Sequence, residues 1–125
     1  MKVSEIMNKP IVIEKNISVK EAARTMSDKN IGSLIIISND KILGIITEDD
    51  ILKNIDNLTE KISKVMSKKV VTIDKDNDIE YAAKLMAANK IKRLPVLKNN
   101  ELVGIITATD IIAHSEDIDE DFFFE

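Results

Sequence analysis

No cysteine occurs in the 125-residue chain, so disulfides, thiolate metal sites and thiol nucleophiles are excluded from the outset. That absence says nothing about compartment. Histidine occurs once, at His114, which leaves no Cys/His metal set and no serine–histidine pair in a repeated motif. There is no Gly-x-Gly-x-x-Gly run and no phosphate-loop lysine motif, so the familiar dinucleotide and phosphate-loop sites are missing. No apolar run approaches the ~18 residues that a membrane-spanning helix needs. The first residues lack the basic-then-apolar order of a signal peptide. The expectation is a cytoplasmic protein without membrane contact. Lys and Arg number 18 against 22 Asp and Glu, a net charge of −4. The basic residues do not run together, which argues against general nucleic-acid binding.

What the chain does have is a duplication. Lys2-Val3-Ser4-Glu5-Ile6-Met7-Asn8 returns as Lys61-Ile62-Ser63-Lys64-Val65-Met66-Ser67, 59 positions on. Ala22-Ala23-Arg24-Thr25-Met26 returns as Ala82-Ala83-Lys84-Leu85-Met86, and Gly44-Ile45-Ile46-Thr47 as Gly104-Ile105-Ile106-Thr107, both 60 positions on. Each repeat is too short to bury an adequate core alone. Two such units predict a pseudo-two-fold body in which a site in one has a counterpart in the other.

Each repeat reads as short helix, strand, helix, strand, turn, strand, helix. Val3, Ile6 and Met7 form one apolar stripe, and Ile62, Val65 and Met66 its copy. Residues 11–13 and 70–73 are short β-branched runs. Val19, Ala22, Ala23 and Met26 recur at helical spacing, with Ser18 and Glu21 as a capping box. Ile79, Ala82, Ala83 and Met86 repeat that stripe with Asp78 as the cap, although Tyr81 cannot close a box. Strands at 34–37 and 42–46, and at 94–97 and 102–106, flank turns rich in Asn and Asp, which tolerate positive φ. Their near-continuous apolar character predicts strands covered on both faces. A compact α/β sandwich with a seam between repeats follows, joined by the polar stretch 56–60.

The sharpest chemical element is strand, Thr-x-x-Asp, helix, present as Thr47/Asp50 and as Thr107/Asp110. Such a turn is commonly a plain helix cap. Opening onto a seam, it could also present a carboxylate to both hydroxyls of a ribose, with the Thr and backbone N–H groups near phosphate oxygens.

The doubled pattern resembles a tandem pair of cystathionine β-synthase (CBS) domains, a Bateman module. Its markers are the two Ser-x-x-Met leaders, the Ala-Ala…Met helices, Ile31-Gly32-Ser33-Leu34, Ile91-Lys92-Arg93-Leu94-Pro95-Val96 and the closing Gly-Ile-Ile-Thr-x-x-Asp. The resemblance implies two βαββα-type repeats with pseudo-two-fold symmetry, at residues 1–57 and 58–113, followed by a tail at 114–125. It also implies adenosyl ligands (AMP, ADP, ATP or S-adenosylmethionine) between the repeats, with no other cofactor. Asp50 and Asp110 correspond to the family's ribose-binding carboxylate, and Thr47 and Thr107 to its companion hydroxyl. Lys92 and Arg93 correspond to positions that often hold phosphate-facing cations. Backbone near Val71, Thr72, Pro95 and Val96 would edge an adenine pocket, with Val12, Ile13, Ile35 and Ile36 as first-repeat counterparts.

The repeats differ in charge. Lys92 and Arg93 stand where the first repeat has Gly32 and Ser33, and Glu48 and Asp49 stand where the second has Ala108 and Thr109. The Asp110 cleft is therefore expected to be the tighter one for nucleotides. His114 is read as a helix C-terminal residue rather than a catalyst or metal ligand. Six acids and Phe122, Phe123 and Phe124 fill residues 115–125, read either as a solvated tail or as a segment that docks. The reading is a stand-alone regulatory sensor, not an enzyme. A homodimer and an unidentified client protein would carry its signal. Its alternatives are an interaction protein with degenerate clefts, and a nucleic-acid binder.

Overall fold

The computed structural model describes residues 1–114. The acidic tail and its Phe triplet, for which docking was one expectation, lie outside the described residues. The chain divides into two compact units: Pro10–Val70, and Met1–Lys9 together with the chain from Val71.

In the Pro10–Val70 unit, β1 (Val12–Ile13) precedes α2 (Val19–Lys29), β2 (Ser33–Ser38), β3 (Lys41–Thr47) and α3 (Glu48–Lys53); α1 (Val3–Ile6) belongs to the other unit. The sheet runs β1-β2-β3, with β1 parallel to β2 and β2 antiparallel to β3. Asn39 and Asp40 turn the hairpin at φ 51° and 64°, the left-handed conformation that the short polar turn predicted. The predicted capping box starts α2: the Glu21 N–H donates to Ser18 Oγ at 3.1 Å. Val19, Ala22 and Met26 are its buried residues, and Ala22 and Met26 share a core with Leu34, Ile36 and Ile46. Ile62, in a 3-10 turn at Ile62–Lys64, is fully buried in that core.

The second unit repeats the plan with β4 (Ile73–Asp74), α4 (Ile79–Asn89), β5 (Arg93–Lys98), β6 (Glu101–Thr107) and α5 (Ala108–His114). Its sheet order is β4-β5-β6, and Asn99 and Asn100 turn its hairpin at φ 51° and 66°. Val3 and Ile6 of α1 are buried with Ile73, Ala82, Met86, Leu94, Ile106 and Ile111. Asp78 stands at the cap of α4, but its carboxylate makes no capping bond. The Ile79 N–H is met instead by the Met1 carbonyl at 3.0 Å. In the other unit the carbonyls of Glu60 and Leu58 accept from Val19 and Lys20 N–H, each at 2.9 Å. Leading segments thus satisfy backbone donors that a helix start leaves unpaired.

Each unit therefore takes its leader from outside its own stretch of repeat. Residues 1–9 pack on the strands of the second repeat, and residues 61–70 on those of the first. Both leaders lie along the last strand, through the bridges Asn8↔Ile105 and Ser67↔Ile45. The close approach needs glycine beneath it. A Cβ on Gly44 would stand 2.7 Å from Met66 Sδ and 2.8 Å from the Ser67 carbonyl oxygen. One on Gly104 would stand 2.5 Å from Met7 Sδ and 3.1 Å from the Asn8 carbonyl oxygen. Lys75 donates to Asp76 at 3.1 Å, with Lys2 3.8 Å away; that hydrogen bond and the nearby cations hold the Asp76 carboxyl below its usual range. Among the described residues, no helix is long and apolar enough to cross a membrane.

Candidate functional site

The two Thr-x-x-Asp turns sit where the last strand of each sheet becomes a helix. Hairpin register decides what lies beside them. In one unit Arg93 pairs with Thr107, and the Ala108 N–H donates to the Lys92 carbonyl at 2.8 Å. Lys92, exposed, immediately precedes β5 and Arg93, half-buried, begins it, alongside the turn that carries Asp110. In the other unit Ser33 pairs with Thr47, and the Glu48 N–H donates to the Gly32 carbonyl at 3.2 Å. The backbones correspond, but the charges do not. Glu48 and Asp49 are exposed beside Asp50, with no cation at the paired positions.

Each aspartate is half-buried and held through one oxygen. Asp110 Oδ2 accepts from the Thr107 N–H at 2.9 Å, and Asp50 Oδ2 from the Thr47 N–H at 2.8 Å. Neither Oδ1 has a hydrogen-bond partner among the described residues. A carboxylate so arranged keeps acceptor capacity for donors from outside, such as a vicinal diol.

The remaining expected residues fall into two groups. Val71 and Thr72, both half-buried, lead into β4, whose Ile73 pairs with Val96. Of the expected strand over 70–73 only Ile73 is in β4, which runs on to Asp74, because pairing engages only Val96 and Leu97. Pro95 and Val96 are fully buried, as is Ile35, and Ile36 is nearly so. All four lie on central strands of their sheets and expose almost no surface, backbone or side chain. Val12 and Ile13 pair with Ile35 and Ile36, beginning two positions along β2 from the Ser33–Thr47 pair. A groove of about 440 Å³ in this unit lies on the helical side, lined by Met26, Ile31, Ile51 and Leu52. Gly32 and Glu48 also line it, but Thr47 and Asp50 do not.

One residue at the site escaped sequence reasoning. Asn8 donates from Nδ2 to Asp110 Oδ2 at 2.9 Å, across 102 positions of sequence. The available signal was the mismatch between Asn8 and Ser67 at equivalent places in the repeats. His114 ends α5 and its Nδ1 donates to the Asp110 carbonyl oxygen at 3.0 Å, in keeping with a helix C-terminal role. Among the described residues, no group of His, Asp and Glu is arranged to hold a metal ion.

The CBS domain family profile matches residues 3–57 and 62–117. The uncharacterised protein MJ1232 of Methanocaldococcus jannaschii is 40% identical over 114 residues, which are 90% of this chain and 38% of that protein. Homoserine O-acetyltransferase of Methanohalobium evestigatum is 40% identical over 112 residues, covering 87% of this chain and 23% of the enzyme. The chain thus spans well under half the length of either relative. Among solved structures, the CBS domain pair of MJ0100, in complex with 5′-methylthioadenosine and S-adenosyl-L-methionine, matches with a TM-score of 0.84. Identity is 34%, over 90% of this chain and 94% of that one.

Proposed function

The chain belongs to the CBS-domain family, and from that membership we propose that it is a sensor module for an adenosyl ligand, bound at its Thr-x-x-Asp turns. Domain pairs of this family are generally regulatory modules rather than enzymes, so the proposal assigns no catalytic step. The observation that carries the reading is the state of the two aspartates. Each is fixed through Oδ2 by the backbone of its own turn and keeps Oδ1 for an incoming donor. Two hydroxyls of one ribose match that need. The MJ0100 pair, with two adenosyl ligands bound, supports the same ligand class here.

The flanking charges divide the labour. Lys92 and Arg93 favour a phosphorylated ligand such as AMP, ADP or ATP at the Asp110 turn. Glu48 and Asp49 repel phosphate at the Asp50 turn, which suits an uncharged adenosyl ligand or the sulfonium of S-adenosylmethionine. A sensor of such solutes would work in the cytoplasm. Its signal would pass to a client protein or through a second copy, for which the exposed Leu52 and Ile55 offer apolar surface. Ligand transmits nothing unless it binds one arrangement better than another.

Titration calorimetry with AMP, ATP and S-adenosylmethionine tests this, on protein refolded to remove carried-over ligand. Micromolar binding of at least one is expected. Absence of heat and of any thermal shift with all three would overturn the proposal and favour an interaction protein.

A further inference from the structure

We infer that Asn8 is a positioning residue for the Asp110 turn: its amide takes over a hydrogen bond that would otherwise occupy the Thr107 hydroxyl, leaving that hydroxyl to donate to an anionic ligand oxygen. The inference rests on the adenosyl-ligand reading and specifies which chemistry one of the two turns selects.

The two turns provide an internal comparison. The leader backbones are equivalent, since Asn8 and Ile105 exchange hydrogen bonds at 2.8 Å in both directions. Ser67 and Ile45 do the same at 2.9 and 3.0 Å. Only the side chains differ. Ser67 is short and makes no hydrogen bond to Asp50 among the described residues. Thr47 fills that place itself, donating from Oγ1 to Asp50 Oδ2 at 3.2 Å. A threonine hydroxyl has one proton, so Thr47 has then none left for a ligand.

In the other unit the carboxylate takes its second hydrogen bond from Asn8. Thr107 Oγ1 accepts from the Asp110 N–H at 3.2 Å, and its own proton is committed to no described group. That proton points the chemistry toward an acceptor. The strand partner of Thr107 is Arg93, so the acceptor best suited to the place is a phosphate oxygen. Asn8 thus adds to the contrast that Lys92 and Arg93 create, through a neutral residue and from a segment outside the repeat that carries the turn.

The test uses the full chain with Asp50→Ala, so that one turn reports, titrated with AMP and with adenosine. Asn8→Ala is expected to weaken AMP roughly tenfold, the order of one charge-assisted hydrogen bond, and adenosine less than about twofold. Thr107→Val should weaken AMP comparably. The double variant should be no weaker than Thr107→Val alone, because both changes remove the same donor. A purely structural role would lower AMP and adenosine together, or make the two substitutions additive, and either result overturns the inference. So does AMP binding that ignores Asn8→Ala, which leaves the ligand reading intact. Failure of the unsubstituted chain to bind AMP or adenosine would overturn both.

Discussion

Ile62→Ala is expected to destabilise the Pro10–Val70 unit by about 2–5 kcal/mol, although Ile62 lies in the leader of the second repeat. Its side chain is fully buried, against Ala22, Met26, Leu34, Ile36 and Ile46. Truncation removes apolar contact and leaves a cavity between a helix and a sheet that cannot close freely. The loss also loosens the leader, whose Ile62 N–H donates to the Ile17 carbonyl at 2.9 Å. Urea unfolding gives the magnitude, and native-state hydrogen exchange gives the place. Protection should fall first among amides of residues 10–60. Earlier loss among residues 71–114 would contradict the assignment of this leader.

Asp110→Ala is expected to weaken AMP by about 100-fold or more, whereas Asp50→Ala should change it by less than about threefold. Two charge-assisted hydrogen bonds from a ribose, at roughly 1.5–3 kcal/mol each, set the first figure. The second follows from charge. Glu48 and Asp49 are exposed beside Asp50 and disfavour phosphate there, while Lys92 and Arg93 attract it beside Asp110. Because these side chains are exposed or half-buried, the preference should shrink as salt rises. Calorimetry at low and high salt reads both effects. Equal losses in the two variants would refute the division of ligands, and a preference indifferent to salt would refute its electrostatic cause.

Much of the fold was legible because local and repeated signals agreed. The Ser18–Glu21 box, the Asn-rich hairpin turns and the apolar periods of α2 and α4 all appear where residue chemistry puts them. The duplicated Gly-Ile-Ile-Thr-x-x-Asp pattern marked both turns. What local pattern could not decide was which core each leader joins. The stripes Val3-Ile6-Met7 and Ile62-Val65-Met66 are chemically equivalent, and either fits either core. The choice is made by tertiary pairing along β3 and β6, over Gly44 and Gly104. Two further details depend on that choice. Asp78 reads as a cap without a closing box, but its side chain makes no capping bond and the Met1 carbonyl meets the Ile79 N–H. Asn8 reads only as the end of the repeated leader, because its partner Asp110 is 102 positions away.

Backbone amide NMR of the chain titrated with AMP tests the ligand assignment most directly, because every residue reports at once. The account predicts the largest shifts at Thr107 to Asp110, at Lys92 and Arg93, and at Val71, Thr72 and Val96, with a smaller response at Thr47 and Asp50. Shifts confined to the groove around Met26, Ile31, Ile51 and Leu52, or no saturable shift at all, would contradict it.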